Sequence, residues 1–183
     1  MIRRSCLALL VLSACVLLGA GASGCSTFSD NRNAARVDYH DLSVQRYQLL
    51  LEGLAQSPAA FQIPPIGPEG LPGTTARGVL GQWIANAIRT DELARKGITV
   101  SAADRKSFED QLSTGNTANL WAQLGPELQE FVLDSQVLSP VFADTFGADA
   151  QQALEQAARA ARITIDSRYG MWDIETGQVV PTR

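Results

Sequence analysis

The sequence predicts a mainly α-helical domain with a small β element that pairs its N-terminal and C-terminal segments. Apolar residues recur at three- and four-residue spacing over most of residues 44–161, which is the period of a helix. Apolar and polar residues alternate at 34–39 and 163–166, and a strand at either end needs a partner for its backbone. The 183 residues are 45% hydrophobic and 19% charged, which suits one domain with a packed core.

The first 24 residues are typical of an export signal. Arg3 and Arg4 precede an apolar run over residues 7–20, which is shorter than the ~20 apolar residues that a transmembrane helix needs. Small residues at 22–24 then stand directly before Cys25. This arrangement resembles the lipobox of bacterial lipoproteins, and it implies cleavage before Cys25 and acylation of its thiol.

Two alternatives stay open for this segment. Ala20-Gly21-Ala22 offers an ordinary A-x-A cleavage site, and the paired arginines are either a plain basic stretch or a twin-arginine export signal. Under the lipobox reading Cys6 and Cys15 leave with the signal, so Cys25 is the one cysteine of the mature chain and no internal disulfide can form. We expect a lipid-anchored protein on the extracytoplasmic side of the cell membrane.

The expected organisation is a signal peptide over 1–24, a polar tether over 25–33 and one helical domain over 34–183. The formal charge of −4 becomes −6 when the signal is removed, because 13 basic residues then face 19 acidic ones. Such a chain lacks the basic surface that nucleic-acid binding requires, so we expect no nucleic-acid partner.

The first elements of the domain are a strand and a helix. The strand covers 34–39, and Asp41 ends it as a turn residue. Ser43 can cap a helix that starts at Val44, where apolar residues recur with helical spacing. Five prolines and three glycines then fall within residues 57–73, which excludes a regular helix or a central strand. This loop is either functional or a variable insertion.

The strongest helical pattern covers residues 76–96, with the threonine pair directly before it as its cap. Ser101 and Asp104 have the spacing of a capping box, which opens a helix that reaches Leu112. Four shorter helices are expected to begin at Asn116 or Thr117, Pro126, Pro140 and Asp149. A strand with Ile163 and Ile165 and a turn at 175–177 complete the domain.

Residues suited to catalysis are few. His40 is the one histidine and Cys25 is reserved for lipid, so a Ser-His-Asp or Cys-His set and a zinc site all lack members. We interpret His40 as a solvated turn residue. The adjacent carboxylates Asp91 and Glu92 diverge by about 100° on a helix and are assigned to a solvated face. We expect no enzyme activity, no metal and no cofactor.

Large apolar residues at helical core spacing are the candidates for binding a client protein. Most such positions are ordinary core, and periodicity does not separate a buried side chain from one in an open groove. The eight candidates are Tyr47, Trp83, Ile84, Ile88, Phe108, Trp121, Phe131 and Phe142.

Three further patterns point to a family. They are Leu80-x-x-Trp83-Ile84, the run Ala94-Arg95-Lys96-Gly97-Ile98-Thr99-Val100-Ser101 with Asp104, and the closing run from Ile163 to Asp173. The first two resemble the N-terminal domain of the SurA and PrsA class of periplasmic or cell-surface foldases. The third is similar to the tail of lipoprotein members from high-GC Gram-positive bacteria.

The resemblance implies a chaperone-like domain that binds unfolded or extended exported polypeptides in an apolar groove. Full foldases add a parvulin prolyl-isomerase domain after the helices, but only 50 residues separate Leu112 from Ile163, so we expect no isomerase activity. The alternative is a structural or scaffolding envelope lipoprotein that binds one specific folded partner.

Overall fold

A computed structural model describes residues 32–63, 66, 68 and 70–182. This part of the chain is mainly α-helical with a small antiparallel sheet, as the sequence predicts, and it also contains a two-stranded hairpin. The predicted signal peptide (1–24) and Cys25 lie outside the described residues. The helices are α1 (Val44–Gln56), α2 (Gly73–Arg95), α3 (Ala102–Leu112), α4 (Ala118–Gln123), α5 (Pro126–Phe146) and α6 (Ala150–Ala160). The strands are β1 (Asn33–Val37), β2 (His40–Ser43), β3 (Ile163–Ile165), β4 (Met171–Asp173) and β5 (Gln178–Val180).

The two ends of the domain pair with each other, which confirms the predicted β element. β1 is the central strand of a sheet with the order β2-β1-β3, and it runs antiparallel to both neighbours. Ala35 faces Ile165 and Val37 faces Ile163 across the β1–β3 pair. Backbone N–H and C=O groups of β3 are therefore hydrogen-bonded to those of β1.

The turn between β1 and β2 lies earlier than the sequence predicts. Asp38 and Tyr39 form it, and Asp38 adopts a φ of 50°, a left-handed conformation that aspartate tolerates. The prediction that Asp41 is the turn residue is wrong, because Asp41 lies within β2 opposite Arg36 and accepts hydrogen bonds from its guanidinium. The two-residue turn places His40 at the start of β2.

The predicted starts of α1 and α3 are confirmed, whereas that of α2 is not. Ser43 Oγ accepts a hydrogen bond from Arg46 N at 3.1 Å, and Ser101 and Asp104 form a reciprocal capping box. α2 begins directly after Pro72 without any side-chain cap, so the predicted threonine cap is wrong. The first turn of α2 is exposed, and water can satisfy its free N–H groups.

Three 3₁₀ turns modify the predicted boundaries. One covers Pro58–Phe61 within the proline-rich loop, where only irregular structure was expected, and Phe61 packs against the core. The second covers Gly115–Thr117, so the helix predicted to begin at Asn116 or Thr117 begins at Ala118. The third covers Gly147–Asp149 before α6. Asp149 stands at the predicted N-cap of α6, but its backbone continues the 3₁₀ turn and its side chain makes no cap hydrogen bond.

α5 continues through Pro140, so the prediction that Pro140 starts a separate helix is wrong. Proline inside a helix removes one backbone donor and costs ~3 kcal/mol. Here Pro140 lies on the exposed side of α5, where water can bind the carbonyl that loses its partner. Leu138 and Phe142 on either side of it join Leu93 of α2 in one hydrophobic cluster, and this burial keeps α5 continuous.

α2 is the central helix of the domain, because α5, α6, α1, β1 and β5 all contact it. Leu80 and Ile84 of α2 are fully buried in the main core. Tyr47 of α1 is buried beside them, and its hydroxyl donates a hydrogen bond to the carbonyl of Ala76 at 2.8 Å. α3 and α4, in contrast, contain no buried residue. The packing is therefore dense around α2 and sparse around the α3–α4 segment.

Gly170 precedes β4 in a conformation that only glycine adopts easily. Its φ is +136°, and a Cβ at this position would lie 2.6 Å from the carbonyl oxygen of Val180. We expect Gly170→Ala to lower the free energy of unfolding by about 3 kcal/mol or more, through backbone strain and this collision. Gly177→Ala is the matched control, since its φ of +64° is also positive but no neighbour lies within 4 Å.

Gly177→Ala should lower the free energy of unfolding by only about 1 kcal/mol. The free energy of unfolding of both variants is measured by urea denaturation monitored with circular dichroism. Equal losses in the two variants would contradict the role of the close contact with Val180.

Candidate functional site

A cleft of about 410 Å³ opens between β2 and the helices α1, α2, α3 and α5. This volume lies in the range of protein sites that hold a small ligand or a few side chains. Its apolar lining consists of Leu50, Trp83, Ala87, Leu93, Ala94, Ile98, Val100, Phe131 and Leu138. Its polar lining consists of His40, Asp41, Arg46, Asn86, Thr90, Thr99, Arg105 and Asp134.

Helical spacing brings the lining residues of each helix to one side. On α2 they follow at steps of four, three and four residues, as Trp83, Ala87, Thr90 and Ala94. On α5 they follow at steps of three and four residues, as Phe131, Asp134 and Leu138. Two alanines on the α2 face leave room between the helices that larger side chains would fill.

The floor of the cleft is continuous with the core, and its aromatic walls are accessible. Leu50, Leu93 and Leu138 are each at most 8% exposed, so their contact with the cleft is made by a small part of each side chain. Trp83 and Phe131 are half-buried and keep part of their rings open to the cleft. Apolar groups that cover these rings gain about 25 cal/mol per Å² of surface removed from water.

Charged residues at the rim are paired with opposite charges. Arg46 of α1 donates a hydrogen bond to Glu130 of α5 at 2.7 Å, and Arg105 of α3 donates one to Asp134 of α5 at 2.6 Å. Both pairs are partly exposed, so each contributes only about 0–1 kcal/mol to stability. They neutralise the charge around the opening, and the Arg105 pair ties α3 to α5 beside the cleft.

Asp91 is a buried carboxylate next to the cleft, beside His40. It is 6% exposed and accepts a hydrogen bond from the Tyr39 hydroxyl at 2.9 Å, and Nε2 of His40 lies 2.8 Å from the same oxygen. The interpretations of His40 and Asp91 as solvated residues are therefore wrong. The β1–β2 turn folds onto the C-terminal half of α2, a contact between residues about 50 positions apart that no local pattern reveals.

A second buried polar residue, Asn86, joins α2 to α5. Its Nδ2 donates to Oγ of Ser135 at 2.9 Å, and its Oδ1 accepts from Gln82 at 3.0 Å and from Arg89 at 3.2 Å. Burial lowers the pKa of Arg89, although a guanidinium stays charged in a protein. Because each polar atom of the Asn86 side chain has a partner, the network fixes one arrangement of the two helices at low cost.

The structure distributes the eight predicted client-binding residues over three environments. Trp83 and Phe131 line the cleft. Tyr47, Ile84, Ile88 and Phe142 lie in the hydrophobic core, each at most 3% exposed, and offer no surface to a client in this conformation. Phe108 and Trp121 are half-buried on α3 and α4, outside the cleft.

Several lining residues, including Leu50, Leu93 and Arg105, are not among the site residues predicted from the sequence. The two leucines follow the core pattern and give no sign that a cavity reaches them. The signal that could have indicated the cleft is the pair Ala87 and Ala94, whose small side chains leave space beside Trp83 on the same helix face.

Within the described ranges, no helix is long and apolar enough to cross a membrane. In the same part of the chain, no group of three or more His, Cys, Asp or Glu residues is placed to hold a metal ion. The chain matches no family model, no curated protein and no solved structure. The resemblance to the SurA and PrsA foldases stays a prediction from the sequence.

The contact between Tyr39 and Asp91 can be tested by titration. The hydrogen bond from the hydroxyl to the carboxylate stabilises the neutral phenol and raises the pKa of Tyr39, although the ring is 77% exposed. We expect Asp91→Asn to lower this pKa toward its ordinary value, because the negative charge is lost. NMR titration of the tyrosine Cζ signals measures the change.

Asp41→Asn is the matched control for that titration. Asp41 is also a carboxylate near Tyr39 in the sequence, but it pairs with Arg36. It should leave the pKa of Tyr39 unchanged. An unchanged pKa in Asp91→Asn would contradict the contact.

Proposed function

We propose that this protein is a membrane-anchored, chaperone-like lipoprotein that binds apolar segments of unfolded exported polypeptides in the cleft beside α2. The observation that carries the proposal is the cleft itself, with two partly open aromatic rings above an apolar floor. Binding of this kind needs apolar area and few fixed polar contacts, so it tolerates many client sequences.

The charged residues at the rim of the cleft favour a client segment without net charge. Its two arginines already have carboxylate partners, so a charged client residue would have to compete with an existing pair. An uncharged apolar side chain meets no such competition and gains from burial against Trp83 and Phe131. Thr90 and Thr99 in the lining add hydroxyl groups that can bind a client backbone.

The anchoring part of the proposal comes from the sequence. The basic stretch, the apolar run and the small residues before Cys25 form the pattern of a lipoprotein signal. Acyl chains contribute about 0.8 kcal/mol per buried CH₂, so two or three chains hold a protein on a bilayer firmly. An anchored domain would meet exported chains as they leave the membrane.

Filling the cleft tests the proposed binding site without removing a core residue. Ala94 is exposed at the edge of the cleft, and Ala94→Trp should occupy the space that a client side chain would use. We expect about a tenfold loss of affinity for a reduced, carboxymethylated test protein, equivalent to about 1.4 kcal/mol. The same variant should delay aggregation of an unfolded client less than the wild type does.

Ala143→Trp is the matched control, because Ala143 is also an exposed helical alanine but does not line the cleft. It should bind as the wild type does. A wild-type protein that fails to delay aggregation at several-fold molar excess would remove the support for a chaperone-like role.

Crosslinking distinguishes the chaperone from a scaffolding lipoprotein. A photoreactive residue replacing Trp83 lies in the cleft, whereas one replacing Trp121 lies outside it. We expect position 83 to capture many unrelated exported polypeptides and position 121 to capture far fewer. One stoichiometric folded envelope protein at position 83 would instead favour the scaffolding function.

A further inference from the structure

The hairpin β4–β5 has one face against the body and one face open to solvent. Trp172 and Val179 are cross-strand partners and pack into the main core. The alternate pair, Met171 and Val180, therefore lies on the outer face, and Pro181 follows it. The other pair on this face, Asp173 and Gln178, is polar, as is usual for an open face of an antiparallel sheet, so the apolar pair needs an explanation.

The outer face exposes large apolar side chains. Met171 is 47% exposed, and Ile174 at the hairpin turn is 52% exposed, which places both among the most exposed large apolar residues of the described ranges. Together with Val180 and Pro181 they border a shallow depression. The backbone of Gly170 also lies close to that of Val180, since a Cβ at Gly170 would lie 2.6 Å from the Val180 carbonyl oxygen.

Two carboxylates, those of Asp173 and Glu175, border this face. Asp173 accepts hydrogen bonds from Thr176 Oγ1 and Glu175 N, both at 2.9 Å, and these bonds lower its pKa. Arg168 forms an ion pair with Asp166 at 2.6 Å. Glu175 remains as an exposed negative charge at the turn. The face therefore suits a shallow contact with zwitterionic lipid and disfavours a strongly anionic surface.

The predicted tether attaches close to this face. Asp166 N donates a hydrogen bond to the carbonyl of Ala34 at 3.0 Å, at the start of β1. The five residues from Asp166 to Met171 span at most ~18 Å, and the turn closed by Tyr169 N and the Asp166 carbonyl shortens this path. The seven residues from Cys25 to Arg32 span at most ~25 Å.

We propose that the outer face of the β4–β5 hairpin, centred on Met171, Val180 and Pro181, rests on the lipid bilayer as a second membrane contact. The inference rests on the proposed lipid attachment at Cys25, which keeps the start of β1 within ~25 Å of the bilayer. Burial of the exposed apolar side chains in the interfacial region favours the contact. The opposite end of the sheet, where Asp38 N bonds to the carbonyl of Arg162, then points away from the membrane.

The test uses the processed full chain in phosphatidylcholine vesicles. After processing, Cys6 and Cys15 are gone and Cys25 is acylated, so an introduced cysteine is the only free thiol. In Met171→Cys, an environment-sensitive fluorophore is attached to the new thiol on the proposed contact face. The same label in Pro181→Cys reports on a second position of that face. Arg162→Cys is the matched control, an exposed position at the opposite end of the sheet.

We expect brominated lipid to quench the fluorophore at 171 and 181 several-fold more than at 162. Equal quenching at all three positions, with the acyl mass present on the protein, would overturn the membrane contact and leave the proposed anchor intact. A blue shift at 171 that depends on protein concentration and not on brominated lipid would show a second copy on this face, and would also overturn it. A protein mass that lacks the acyl chains would contradict lipid attachment at Cys25, and the proposed membrane contact would fall with it.

Discussion

Burial of the apolar side of α2 is the constraint on which the rest of the structure depends. α5 and α6 pack against this helix, β1 and β5 contact it, and Tyr47 of α1 is buried beside it. The same helix supplies one wall of the cleft through Trp83, and it carries the buried carboxylate of Asp91 that lies beside His40. α2 therefore serves both stability and the candidate site, through neighbouring positions that point in different directions.

Much of the fold could be predicted from the sequence because its signals are local. Periodicity identifies the helices, Ser43 and Ser101 mark two of their starts, and the need of a terminal strand for a partner predicts the pairing of the two ends. Pro140 shows the limit of such signals. Its local effect favours a break, but packing of the residues on either side of it outweighs that effect.

The candidate site could be predicted only in part, for a geometric reason. Trp83 and Ile84 are adjacent in the same apolar stripe and differ by about 100° around the helix axis. That rotation turns Trp83 toward the cleft and Ile84 into the core. Periodicity gives the side of a helix that is buried, but the width of the gap beyond it depends on where α1, α3 and α5 lie. The contact of His40 with Asp91 is hidden for the same reason, since their approach is set by tertiary packing.

The absence of buried residues from α3, and from α4 that follows it, has a consequence for the cleft that α3 borders. Segments with little buried apolar area open locally at a much lower free energy than the global unfolding of the domain. The wall that carries Arg105 contacts α5 without burying a residue of α3 and forms one partly exposed ion pair with it, while the opposite wall on α2 is anchored in the core. Of the two sides of the cleft, the α3 side therefore opens at the lower free energy, so the volume of the cleft can increase by movement of that side alone.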